Sequence, residues 1–434
     1  MKKYKIVILV CAFTLLGIFT CRVSKTSNVY EENENNQMKK QVNTISMMLE
    51  TEAGSGKYEM TTRDSWPTEG YVFNSTLSKC ENGGELSWDD TNKKVLMSGN
   101  ISDKCYVYFD IETKVFLADY VKSLYTGTQG DNNIYYHDSS LENGAGDNSY
   151  RYAGSSETTN NYVCFGSDAD TCPEDNLYRI IGVFDGKVKL IKSTGTTNTL
   201  LGTDGTYTSN SRSYAWTDLD SCPSTTAYKF DNNVVVLSNK NILGAVPDGG
   251  KSGCNMWKYS NLNSVNLNTN FITNLGIKWA ALVDNATWKV SGYSTANVTA
   301  KTMYTAEITN ATKTYGPSDG TSKIGLMYAS DYGFAASPSA WTTLLSSYND
   351  SSIKSTNWIY NAGMEWTMTP NSSNSYSVFI LSYVSSASNT GNLGSWSSIG
   401  ADAGFATRPV MYLNASVVYT RGSGTASVPI RIKI

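Results

Sequence analysis

Residues 177–192, Leu-Tyr-Arg-Ile-Ile-Gly-Val-Phe-Asp-Gly-Lys-Val-Lys-Leu-Ile-Lys, leave the chain little choice of local structure. Two runs of branched and aromatic residues flank Asp185-Gly186, a dipeptide that accepts the positive φ angles of a tight turn, so the stretch reads as a β-hairpin. Val234 to Leu237, Ile324 to Tyr328, Val378 to Tyr383 and Val410 to Leu413 read as further strands. Between them the period changes. Residues 257–275 place Leu262, Val265 and Phe271 on one side of a loose helix. Ser337-Pro338 has the form of an N-cap followed by proline at N1, predicting a helix through Trp341, Leu344 and Leu345. Strands and short helices mixed with Gly/Ser/Asn loops place residues 115–434 in the α+β class, and no fixed-period repeat is present.

The chain before this domain divides into three parts. Lys2, Lys3 and Lys5 precede an apolar, uncharged run over residues 6–21, the length of a signal-peptide core or a short membrane span. It predicts export, with the lysines on the cytoplasmic side and the rest of the chain outside. Retention as an N-terminal anchor is favoured over cleavage, because no small-x-small pattern stands before Arg22; Ile18-Phe19-Thr20 also lacks the small residue expected before a lipidated Cys21. Residues 22–57 form a spacer followed by a stalk helix over residues 35–52: Met38, Val42, Ile45, Met48 and Leu49 recur at helical spacing. Residues 66–110 read as a small β module, with strands at Tyr71 to Phe73, Glu85 to Trp88, Val95 to Met97 and Cys105 to Phe109. A short helix from Val115 to Tyr125 then opens the main domain.

Cysteine usage agrees with export. Outside the apolar run stand Cys80, Cys105, Cys164, Cys172, Cys222 and Cys254. An even set in an oxidising compartment points to disulfides, and sequential pairing is the simplest of the connectivities that six cysteines allow. Zinc would call for CxxC-type spacing with histidine, which is absent.

Composition narrows the function. With 35 Lys+Arg against 38 Asp+Glu, the net charge of −3 gives no basic excess for phosphates, so nucleic acid is not an expected partner. Charged residues are 17% and aromatic residues 12% of the chain, including 29 Tyr and 10 Trp. Both values oppose disorder. The acids and lysines crowd the first part of the chain; beyond Asn176 charged residues are sparser, and Trp, Tyr and Asn are abundant.

Four segments resemble an uncharacterised family of exported Gram-positive surface domains. They are the hairpin, Trp257-Lys258-Tyr259-Ser260-Asn261-Leu262 with Leu267-Asn268 and Phe271, Glu365-Trp366-Thr367-Met368-Thr369-Pro370, and Phe405-Ala406-Thr407-Arg408-Pro409-Val410. The likeness spans about residues 177–415 and implies architecture rather than activity. The arrangement is also similar to sulfatase-modifying-factor and C-type-lectin-like folds. Formylglycine-generating enzymes of the former type need a late redox cysteine pair, and this chain has no cysteine after Cys254. The 66–110 module resembles modules that accompany such domains, some with pilin-like N-termini, although the pilin Gly-Phe-Thr-Leu-x-Glu opening is missing.

Candidate sites follow from residue type. His137, the one histidine, is expected to be an exposed loop residue, and no G-x-S-x-G elbow offers it a serine. Asp331, Glu365 and Asp402 are sparse acids that would have to face one another across a cleft to hydrolyse a glycoside. A disulfide-closed loop holds Asp168, Asp170, Glu174 and Asp175, hard oxygen donors suited to a structural calcium; no other cofactor is expected. Arg408 is expected to brace the loop core. The aromatic surface carries the functional expectation: an apolar ring face stacks on a sugar while Asn and Ser meet its hydroxyls. Trp358, Trp396, Tyr376 and Tyr383, in Asn/Ser/Gly-rich surroundings, are the candidate contacts, with Trp396 foremost. The expectation is a non-catalytic, cell-surface or secreted adhesin or lectin-like protein that binds a glycan or a surface protein. The alternative is an assembly or minor pilin-like subunit joined through the stalk helix, and an enzyme acting on surface glycans comes third.

Overall fold

The computed structural model describes residues 44–98, 103–207, 214–215, 227–230, 233–236, 255, 257, 260–310, 320–372, 377–381, 391–394 and 404–433. The chain divides into two units, Met1–Thr113 and Lys114–Ile434. No helix among the described residues is long and apolar enough to cross a membrane, and the apolar run 6–21 lies outside them.

In the first unit, β1 (Thr44–Glu50) pairs antiparallel with β2 (Tyr58–Thr61). After β3 (Tyr71–Phe73) and β4 (Lys79–Cys80) comes the hairpin of β5 (Glu85–Asp89) and β6 (Lys94–Ser98). β7 (Lys104–Ile111) lies at the centre, parallel to β1 and antiparallel to β3 and β4. Cys105, Val107 and Phe109 of β7 are fully buried while Tyr106 and Tyr108 are half-buried, the alternation a one-sided sheet requires. The stalk helix expected from residues 35–52 is corrected here: residues 44–50 are a strand, and residues 35–43 lie outside those described. An apolar run this short fits either period, and the long-range partner decides. β7 supplies a full register from Lys104 to Phe109. Glu50 fastens the strand end, accepting from the backbone N–H groups of Ile111 and Gly56, bonds that hold its carboxyl below the usual range.

The second unit opens with β8 (Val115–Phe116) and helix α1 (Leu117–Ser123), whose Leu117, Ala118 and Val121 enter the core. β9 (Ile134–His137), β10 (Ser149–Tyr152), β11 (Tyr162–Cys164), β12 (Leu177–Phe184) and β13 (Lys187–Lys192) supply most of a seven-stranded sheet. The strands Val410–Tyr412 and Ile324–Gly325 complete it beyond β13. The predicted hairpin is present, with Asp185 and Gly186 at φ 47° and 76°. Its register shifts between Ile180 and Gly182. A Cβ on Gly182 would stand 2.2 Å from the Tyr150 carbonyl oxygen, so this close crossing of β12 and β10 requires glycine. A second sheet joins Glu365–Pro370, Val378–Leu381 and Leu393–Gly394, and a third joins β8, Val418–Arg421 and Arg431–Lys433. Sheets and short helices of these kinds make an α+β fold.

The helical expectations divide. Residues Leu262–Phe271 wind as a π-helix, with Leu262, Leu267 and Phe271 fully buried beside Trp257. Ser337-Pro338 starts only a single 3₁₀ turn, Pro338–Ala340, and Ser337 makes no side-chain cap bond. The expected helix through Leu345 is therefore corrected. Competing bonds end it: the Trp341 indole N–H donates to the Ala336 carbonyl, and the Leu345 N–H donates to Val298 of a separate segment. The strand expected over Ile324 to Tyr328 ends at Gly325, and Tyr328 instead caps helix Ala329–Ala335.

Candidate functional site

Of the aromatic residues expected to meet a sugar, Trp358 is corrected to the core: it is 3% exposed. Its indole N–H donates to the Tyr152 carbonyl at 2.8 Å, and its ring lies 4.7 Å from the Arg179 guanidinium. Arg179 itself is buried. It bonds Asn161 Oδ1, Ser156 Oγ and the carbonyls of Trp358 and Thr159, with Tyr162 against its other side at 4.3 Å. Trp358 thus shields a buried cation. Trp366 is also buried, donating to the Tyr214 carbonyl at 2.7 Å. Trp396, Tyr376 and Tyr383 lie outside the described residues.

The histidine and the sparse acids are buried as well. His137, expected in an exposed loop, is 0% exposed at the end of β9. Its Nδ1 accepts from the Ala145 N–H at 3.0 Å, and its ring meets Phe334 and Trp341 edge-on or tilted. Burial, followed by the nearby Arg151, holds its pKa well below the ordinary value. Glu365 is fastened to Arg408 by two bonds, one from Nε and one of 2.9 Å from Nη2, while Nη2 also donates to the Ile359 carbonyl. Arg408 is thereby placed as a brace of the core. Asp331 is 3% exposed and faces Lys189 at 2.5 Å. Asp402 lies outside the described residues. Asp331 and Glu365 thus each face a cation in the interior instead of facing one another across a cleft.

The disulfide-closed loop is exposed. Cys164 and Cys172 are bonded, as are Cys80 and Cys105; Cys222 and Cys254 lie outside the described residues. The four carboxylates proposed for calcium do not converge. Asp168 pairs with Lys278 at 2.5 Å, Asp170 with Arg421 at 3.5 Å and Asp175 with Lys192 at 3.7 Å, while Glu174 is exposed in a 3₁₀ turn. Among the described residues, the one group of close potential metal ligands is Cys80, Asp103 and Cys105, and there the two sulfurs are bonded to each other.

A cleft of about 160 Å³ runs between this loop and the third sheet, lined by Ser167, Asp168, Trp279, Thr420, Arg421 and Arg431. Each wall has a local cause. Arg431, on the last described strand, donates to the Asp170 carbonyl at 2.7 Å and so holds the loop against the sheet. Trp279 packs edge-on to Phe165 beneath the loop, and the Lys278 ammonium sits 5.3 Å from its ring centre. Arg421 and Asp168, with side chains 67% and 65% exposed, offer donor and acceptor at the rim. The volume is below the roughly 300–1,000 Å³ of drug-sized pockets and suits one sugar ring or one side chain. Sequence reasoning named Asp168 but missed Arg421, Arg431 and Trp279, because two strands at the far end of the chain bring the arginines to the loop.

Compared with family models, curated proteins and solved structures, the chain matches none of them.

Proposed function

We propose that the protein is an exported, surface-displayed binding protein of adhesin or lectin-like type, and that the cleft beside the Cys164–Cys172 loop receives a single polar unit of its ligand, such as one sugar of a glycan. One observation carries this reading. The cleft sets two exposed hydrogen-bonding groups, Asp168 of the disulfide-closed loop and Arg421 of the third sheet, beside Arg431 and the largely buried Trp279. Arginine donors and a carboxylate acceptor match ring hydroxyls, and covalent closure lowers the ordering cost of binding. Each rim charge has an opposite partner, Arg421 with Asp170 and Asp168 with Lys278, which favours an uncharged ligand over a strongly anionic or cationic one. The two disulfides fit an extracytoplasmic setting, and the apolar run 6–21 is its proposed membrane anchor or leader. A glycan array probed with the protein tests the proposal: binding to a neutral glycan is the expected outcome, and silence across glycans and matrix proteins alike would sink it.

A further inference from the structure

Lys189 and Asp331 meet in the interior of the second unit. The Lys189 Nζ, on β13, lies 2.5 Å from Asp331 Oδ2, on the first turn of helix Ala329–Ala335, and the two side chains are 1% and 2% exposed. The surroundings are aromatic, with the buried Arg151 guanidinium 3.6 Å from Asp331 Oδ1. The ammonium lies 4.5 Å from the Tyr328 ring centre, 5.4 Å from Phe184, 5.5 Å from Tyr412 and 6.0 Å from Trp288. A third ionisable group is held beside them. Glu307, fully buried in a π-helical turn, accepts from the Thr369 hydroxyl and from the N–H of Ser330, the residue before Asp331. It is near enough to interact electrostatically with both partners.

We infer that Lys189 and Asp331 become joined by an intramolecular amide bond, with Glu307 relaying the proton. This modification is independent of the proposed ligand site. Condensation requires transfer of one proton from Nζ to the carboxylate, giving a neutral amine and a neutral acid, and a buried ion pair has a desolvation cost that this transfer relieves. A nitrogen hydrogen-bonded to Oδ2 at the observed separation stands roughly 3–3.5 Å from Cγ, the spacing of a near-attack pair. The amine adds to Cγ, the C–O bond of the protonated oxygen breaks, and one Nζ proton leaves with that oxygen as water. The ion pair thereby yields one amide and one water, with no oxidant or further reactant. The Arg151 guanidinium, 3.6 Å from Oδ1, sets a positive charge beside the oxygen on which negative charge develops, and the Tyr328 N–H, 2.9 Å from Oδ2, lies at the oxygen that leaves. Burial lowers the Lys189 pKa and pushes Glu307 up to about 7, which favours the free amine and suits a proton relay.

Peptide mapping of the full chain, reduced and digested with trypsin, tests this. The expected species is residues 188–192, uncut after Lys189, attached to residues 324–354 at a mass one water below their sum. Recovery of the two peptides separately from folded protein would overturn the inference, and so would a water loss confined to 324–354, which marks a succinimide. Glu307→Gln keeps the shape and an acceptor for Thr369; it is expected to slow cross-linking on the order of a hundredfold. Unchanged cross-linking in that variant would remove Glu307 from the reaction. The map of the unaltered chain decides the bond itself, whether or not the variant folds.

Discussion

Arg408 holds Glu365 in a region where neither side chain is more than 3% exposed. Burial raises the Glu365 pKa and the guanidinium opposes that rise. Replacing the arginine leaves an acid with no cation beside it. Arg408→Met is therefore expected to destabilise the unit by about 3–5 kcal/mol, read from the urea midpoint of unfolding. A change below about 1 kcal/mol would show that the pair is not a brace. His137 makes a pH prediction. Its folded pKa is depressed, so between that value and the unfolded value near about 6.5 the unfolded chain binds a proton that the folded chain does not. Its contribution is fully retained above the unfolded value and is lost as pH falls below it, by at most about 1.4 kcal/mol per pH unit. Glu307, raised to about 7, works in the opposite sense, its contribution being lost as pH rises through that value. Comparing His137→Gln with the unaltered protein isolates the histidine, since only the latter is expected to lose this stability on acidification; identical pH slopes would contradict the assignment. At this scale the sequence showed that Arg408 would brace the core, yet it could not reveal Trp358 as the cover of Arg179, because that contact joins residues 179 positions apart.

At the level of elements, what was legible depended on whether a signal was local. The Asp185-Gly186 hairpin and the alternation of Cys105 to Phe109 carry their own turn and period, and both are present. The 44–50 segment does not: its period is ambiguous, and pairing with β7 makes it a strand. The Ser337-Pro338 start was equally local, but a helix also needs free backbone beyond its first turn, and Leu345 is already bonded to Val298. The Cys80–Cys105 bridge fastens β4 to β7 in a unit whose buried apolar cluster, among the described residues, is Met47, Val107 and Phe109. Such a small core leans on its cross-link. Replacing both cysteines by alanine is expected to cost about 3 kcal/mol, seen as a lower denaturant midpoint of the first unit alone. An unchanged midpoint would mean that the sheet stands without the bridge.

For the molecule as a whole, the structure takes much of the aromatic richness of the sparsely charged second half inside. Much of it lines the interior: Trp257, Trp288, Trp341 and Trp366 are among the largest fully buried side chains, and several rings enclose Arg179 and Lys189. This accounts for a low overall charge without implying a broad aromatic binding face. Exposed polar chemistry is found at the cleft by the disulfide loop, where Asp168, Arg421 and Arg431 meet above the buried Trp279. That site was only partly legible, since its loop is marked by two cysteines while its arginines arrive from the far end of the chain. Rival assembly through a stalk helix has lost its main support, because the described part of that segment is sheet.

The most direct measurement is calorimetric titration of a neutral glycan, chosen from the array, into the protein and into Arg421→Ala, whose side chain is mostly solvent-exposed. Unaltered folding with affinity at least about tenfold weaker in the variant, a loss of about 1.4 kcal/mol, is the predicted result. Equal affinity in both proteins would contradict the placement of the binding site in this cleft.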